Sequence, residues 1–431
     1  MSTELATHYS DDYSEAAQNL SGKSVTWLNS LRSDAFARFS ETGFPKTHEE
    51  EWRYTNLSAL EKKSFKPAAP SDAISETLLK THALDNTWQV VLIDGHFSSE
   101  HSQLEGLDHG VELDSIAERL KTNPETLAPY LGQAVNTEEH NFIAFNTAWF
   151  IDGFYLNIPS KHQLSKPIQI INFVFTANCL ATTRNIIVLN DDAEAQVIET
   201  FIGCDTYLTT AVNEIFIGEN ADLTLYKVQI EANKAYHFGG NYIKQQPRSR
   251  FQHHNFAFGS LLARNDLHTD LETASECLLN GLYLGVKRQH IDNHTRINHL
   301  KPEGISREFY KGILDNRARG VFQGRVVVIE DAQKTDSEMN NRNLLLSNEA
   351  EIDTKPQLEI YADDVKCAHG VTIGQLDEKS IFYLQSRGLD IETAKTVLTL
   401  AFANEMVEKI PFQPLKTFLG EQLIHVMPTI K

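Results

Sequence analysis

A chain of 431 residues carrying 39 basic against 58 acidic side chains, a net charge of -19, is too acidic for a nucleic-acid surface or for electrostatic adhesion to anionic membranes, and suits a basic partner. Its length exceeds the usual single-core size, which predicts two or three domains or one elongated repeat body with appendages. No apolar run is long enough to cross a bilayer, and the start, MSTELATHYSDDYSEAA, is acidic where a secretory signal would be basic and then apolar, so the chain reads as cytosolic.

Residues 1 to about 150 read as a mostly helical region. In SVTWLNSLRSDAFARFSETGFP, an apolar stripe runs through Trp27, Leu31 and Phe39, flanked by Leu28, Ala35 and Phe36, and Gly43 and Pro45 supply the stop. Gly22-Lys23-Ser24 resembles the end of a phosphate-binding loop. Ala17 stands where its first glycine belongs and no apolar strand precedes it, so a nucleotide site is rejected. THEEEWRYTNLSAL opens with Thr47 and Glu50 at capping-box spacing, and Trp52 and Tyr54 would pin this segment onto something larger. QVVLIDGHF predicts a strand and turn, and LDSIAERLKTNPETLAPYLGQ two short helices interrupted at Pro124.

From 151 to 388 the texture changes to short segments rich in Val, Ile, Phe, Thr and Tyr, broken by Asn, Asp and Gly. One pattern recurs: LNDDA at 189–193, IGENA at 217–221, LDNRA at 314–318 and LSNEA at 346–350. Each is an aliphatic residue, three turn formers and an alanine. The spacing suits stacked rungs with a small residue at a tight corner, which predicts a mainly β fold with a parallel β-helix core; an antiparallel sandwich is the alternative. Within this region QHIDNHTRINH offers His290, His294 and His299. Its Asp, Asn and Thr content favours turn and strand over helix, and His290 and His294 are not expected to share a face, so polar contacts are expected there instead of metal. His253 and His254, being adjacent, should point to opposite faces.

The four cysteines, Cys179, Cys204, Cys277 and Cys367, are widely spaced with no Cys-x-x-Cys, which argues against a disulfide framework and a self-contained cluster motif. The stretch 355–388 holds the most chemistry. At a strand's period of two, Val365, Cys367, His369, Val371 and Ile373 share one face, placing a thiol and an imidazole about 7 Å apart. Two donors do not make a metal site, since zinc and iron-sulfur centres want about four. Burial in an apolar core accounts for Cys367, whereas an imidazole on the same face needs a polar partner.

The helical period returns in 389–431. Asp390 is placed to cap a helix that carries Ala394, Val397, Leu398 and Ala401 on one side and Leu400, Val407 and Ile410 on another. A second helix carries a stripe of Leu415, Phe418, Leu419, Leu423 and Val426. Both are candidates for docking a partner, with a terminal cap on the strand region as the alternative.

The segment from Gly320 to Pro411, with KTDSEMNNRNLLLSNEAEIDTKPQLEIYADDVKCAHG and IFYLQSRG, together with EEWRYTNL at 50–57, resembles the SufB/SufD family of the SUF iron-sulfur cluster assembly machinery. The resemblance implies a right-handed parallel β-helix flanked by N-terminal helices and by C-terminal helices that dock a SufC-like ATPase through Ala394, Val397, Leu398, Ala401, Leu415, Phe418 and Leu419. It further implies a SufB-like partner, with a transient iron-sulfur cluster or iron held at their interface by His369, beside Cys367, and none bound stably by the isolated chain, which could pair with itself. SufB-like chains place a cysteine where this chain has Asn341, which favours the SufD branch over a SufB-like scaffold. The implied role is assembly without catalysis of its own. The competing reading, a β-helix enzyme acting on acidic polysaccharide, would want a basic groove, and the net charge opposes it.

Overall fold

The computed structural model describes residues 9, 13, 17, 18, 20–71, 74–137 and 140–427; the acidic start discussed above lies largely outside them. Helix α1, Thr26–Thr42, ends at Gly43, whose φ of 65° lets its N–H donate back to the Phe39 carbonyl. Its buried stripe runs through Leu28, Arg32, Ala35 and Phe39. Trp27, Leu31 and Phe36 lie at the margins of that stripe. The capping box at Thr47 does not form. Glu50–Trp52 is a single 3-10 turn, and the Glu49 carboxylate accepts from the Lys46 N–H at 2.7 Å instead. Helices α2, Glu76–His82, and α3, Ile116–Thr122, are short, and Pro124 opens a 3-10 turn after α3. Helix α4, Asn141–Trp149, is buried from Phe142 onward.

The strands form a parallel β-solenoid of two sheets. Among the described residues eight rungs stack, each with one strand in a nine-stranded sheet and the next in a ten-stranded sheet. Rung 1 is Phe154–Ile158 and Ile168–Val174; rung 2, Leu180–Leu189 and Glu194–Gly203; rung 3, Leu208–Ile217 and Asp222–Gln229; rung 4, Tyr236–Gln245 and Arg250–Ala257. Rung 5 is Leu262–Leu271 and Glu276–Gly285; rung 6, His290–His299 and Ile305–Leu314; rung 7, Arg319–Val328 and Asp336–Leu345; rung 8, Glu351–Ile360 and Lys366–Gly374. Strands of the N-terminal region extend both sheets. Trp88–Ile93 runs parallel to Ile168–Val174 and turns back into His96–Gln103, while Glu112–Ser115 pairs antiparallel with Phe154–Ile158. Antiparallel strands therefore finish the first end of the solenoid and satisfy its backbone.

The recurring five-residue pattern marks corners of the rungs: 189–193 and 217–221 lead from the nine-stranded sheet into the ten-stranded one, 314–318 and 346–350 from the ten-stranded sheet into the nine-stranded one. Asp192, Asn220 and Asn316 adopt left-handed φ values of 59°, 57° and 56°, a conformation that short polar side chains tolerate. The following Ala193, Ala221 and Ala318 are buried and donate three residues back, to the carbonyls of Asn190, Gly218 and Asp315. Inside the corners, alternation points Leu223, Leu225, Phe251, Leu279 and Tyr310 into one continuous core with Ile187, Ile215, Ile291 and Phe322 from the facing sheet.

The last strand ends at Gly374, and α5, Glu378–Ser386, follows with Asp377 as its N-cap, so helix begins earlier than the border expected at 388. Asp390 caps α6, Ile391–Val407, through the Thr393 N–H, and α7, Gln413–Val426, completes the chain. Ala403, Met406, Val407, Leu415, Phe418 and Leu419 pack on Tyr226, Phe256, Leu282 and Ile313 of the ten-stranded sheet's outer face. This corrects part of the docking expectation: Ala394, Leu415, Phe418 and Leu419 are buried within the chain, the last three in the apolar cluster that fixes the helices to the solenoid. Val397 and Ala401 are exposed and Leu398 is half-buried. Among the described residues no helix is long and apolar enough to cross a membrane.

Candidate functional site at the open end of the solenoid

Both sheets reach an edge at rung 8. Among the described residues, Lys366–Gly374 pairs only with Asp336–Leu345 in its sheet, and Glu351–Ile360 only with Arg319–Val328. Cys367 and His369 lie on this final strand, in register with Ser337 and Met339 of rung 7. Met339 belongs to the interior core, so strand parity turns Cys367 and His369 toward the solenoid axis, where no further rung covers them. Cys367 is half-buried against that core and His369 is exposed. Ile373, Ile360 and Tyr361, exposed at the same end, leave an apolar surround. A strand edge with an apolar surround is a template for another chain.

Burial pushes the Cys367 thiol above its ordinary range, with Asp336 adding to the effect and a backbone hydrogen bond at Ser337 opposing it. The thiol is therefore protonated at neutral pH, and a metal that takes it as thiolate must displace that proton. Lys366, on the opposite face, is exposed. Below Cys367 the register stacks Ser337, Ser306 and Cys277 in one inward column. The Ser306 and Ser337 hydroxyls lie 2.8 Å apart and the His299 Nε2 lies 2.9 Å from Ser306. The neighbouring column holds His369, Met339 and Glu308. Among the described residues no three His, Cys, Asp or Glu side chains come together as a metal cage.

The remaining sequence candidates separate. Cys179 is buried, and burial pushes its thiol up to about 12. Cys277 is buried in the core and Cys204 is exposed. Asn341 is fully buried one rung below the end; its amide donates to the Tyr310 carbonyl at 3.3 Å and its carbonyl accepts from Asn343. His253 and His254 do point to opposite faces, the second stacking on Tyr226 with ring centroids 5.1 Å apart. The expectation for His290 and His294 needs correcting. QHIDNHTRINH forms the strand His290–His299, and residues four apart in a strand share a face. With Asp292 between them, both meet the N-terminal segment: Thr55 reaches His290 and Asp292, and His294 lies 2.9 Å from Asp292 and 3.3 Å from Glu51. Asp292 and Glu51 hold the His294 proton against the effect of burial.

The SUF system FeS cluster assembly SufBD core domain matches residues 173–402, and the SufBD protein N-terminal region matches residues 3–170. The chain belongs to the SufBD family. A SufBD-family iron-sulfur cluster assembly protein of Synechocystis is 32% identical over 92% of this chain and 90% of its own length. Iron-sulfur cluster assembly protein SufD of Escherichia coli is 31% identical over 87% of each chain, and SufD of Bacillus subtilis 23% identical over 93% of each. As a SufBD-family member, the chain is an iron-sulfur cluster assembly protein. Sequence reasoning singled out Cys367 and His369 but missed Ser306, Ser337 and Met339 beneath them. The signal for these is the rung repeat, which brings 306, 337 and 367 into one column.

Proposed function

We propose that this chain works as the SufD-type scaffold subunit of a SUF assembly complex, with rung 8 as half of an interface completed by a SufB-like chain. The observation that carries this reading is the uncovered final strand, which presents a thiol and an imidazole on one face beside exposed Ile360, Tyr361 and Ile373. Two donors fall short of the roughly four that hold iron or an iron-sulfur cluster, so the remaining ligands come from the partner and the cluster is transient cargo. His369 is the primary ligand, being exposed at the edge; Cys367 supports it from a half-buried position. The protein acts as an assembly subunit, with the energy supplied by a separate SufC-like ATPase.

That ATPase docks on the outward side of the C-terminal helices, at Val397, Ala401 and the exposed Phe382 and Tyr383. Nucleotide-driven closure of the ATPase then shifts the paired solenoids and opens the interface to iron or sulfur. Co-purification tests the docking. Val397→Glu with Phe382→Glu should abolish capture of the ATPase while the chain stays folded by circular dichroism, and undiminished capture removes the assignment. Anaerobic reconstitution tests the site, with iron and sulfide retained with the SufB-like partner present and lost in His369→Ala. Turnover of an acidic polysaccharide would instead favour the enzyme reading.

A further inference from the structure

The segment EEWRYTNL has no part in the end-face chemistry, yet it touches five successive rungs. Its Trp52 ring stacks on Phe142 of α4 and packs against Phe238 of rung 4, at centroid distances of 5.4 and 6.2 Å. The Arg264 guanidinium of rung 5 lies 3.8 Å above the Trp52 ring and donates to the Glu51 carbonyl at 2.7 Å. In rung 6, Asp292 accepts from the Thr55 hydroxyl at 2.5 Å and His294 reaches the Glu51 carboxylate at 3.3 Å. The Gln323 amide of rung 7 donates to Glu51 Oε2 at 2.9 Å. Lys355 of rung 8 donates to Glu50 Oε1 at 2.6 Å.

The segment is anchored where it is buried and reaches outward to the end. Trp52, Thr55, Arg264 and Asp292 are all buried, whereas Glu50 and Lys355 are 72% and 29% exposed in their side chains. Rung 8 has a neighbour on one side only, so a contact from outside the sheet matters more there than in rungs held from both sides. The same rung continues through residues 361–365 into the strand bearing Cys367 and His369.

We infer that residues 50–55 form a strap that fixes rung 8 against the rest of the solenoid, with Glu51 and Glu50 as positioning residues for the end-face pair. The consequence for Cys367 and His369 rests on the proposed role of that face; the strap itself does not. Thermal opening of rung 8 would then be set by the N-terminal region, more than 300 residues away in sequence, since Lys355 and Glu50 are separated by 305 positions.

Hydrogen-deuterium exchange on the full chain tests this. In Glu51→Gln and Trp52→Ala, amides of 351–360 and 366–374 should exchange about tenfold faster while those of 180–203 stay unchanged. Lys355→Glu, which leaves the buried anchor intact, should give a smaller rise of about threefold, and adding Glu50→Lys should restore protection. Unchanged exchange in rung 8, an equal rise in rungs 2 and 8, or no recovery in the charge-swapped pair overturns the strap. Iron retention by the complex, read in parallel, separates the two ideas: loss of iron in His369→Ala bears on the site alone, and faster exchange in the strap variants bears on the strap alone.

Discussion

The two ends of the solenoid obey opposite rules. In rung 2 every residue of Leu180–Leu189 is buried, because helices and loops of the N-terminal region cover its outer face and neighbouring rungs cover its edges. In rung 8 no residue of Glu351–Ile360 is fully buried. At the closed end a buried charge is admitted with dense partnering. Arg184, fully buried, reaches Glu214 at 2.7 Å and also Asn146 and Thr147 of α4, while Glu214 accepts from the backbone of Gly132 and Ala134. At the open end a thiol, an imidazole and several apolar side chains stand without a covering layer. The first end is covered and the second is left open.

Substitutions at the two ends can break that contrast. Arg184→Ala leaves the buried Glu214 carboxyl without its counter-ion, and should lower unfolding free energy by about 3–5 kcal/mol in urea melts. Next in size is an alkaline effect from inside the core. Glu308 is fully buried near Cys277, Thr295 and Tyr310, and burial pushes its carboxyl from 4.5 up to about 8. The folded state thus holds this proton more tightly than the unfolded one, so its contribution to stability is lost as pH rises from about 5 through 8. The loss approaches about 4 kcal/mol, and Glu308→Gln should flatten this part of the pH profile. Ser115 caps α3 through the Glu118 N–H and also donates to Asp152, so Ser115→Ala should cost about 1 kcal/mol. Smallest is Ile373→Ser at the open end, which should change unfolding free energy by under about 0.5 kcal/mol while weakening association with a SufB-like chain. A stability loss there as large as that of Arg184→Ala would erase the distinction between the ends.

Much of this architecture was legible in the residues. The corner pattern ending in Ala193, Ala221 and Ala318 marked the rungs, and those alanines are buried where the chain turns. Strand parity alone put Cys367 and His369 on one face. What parity cannot give is cross-rung register, and that hid the Ser306 to Ser337 contact and the Glu308 position. The same limit hid the meeting of His290 and His294 with Glu51 and Thr55, which depends on where a distant segment lies. The helical period of 389–431 identified apolar faces but not which of them the solenoid would claim. Burial of Leu415, Phe418 and Leu419 answers that, and leaves Val397 and Ala401 facing outward.

The most direct test of the open end as half a site is iron and sulfide content after anaerobic reconstitution of the full chain alone, with a SufB-like partner, and with that partner plus His369→Ala. Retention should occur only in the second case. Equal retention by the chain alone, or by the His369→Ala complex, would contradict a shared site completed across the final rung.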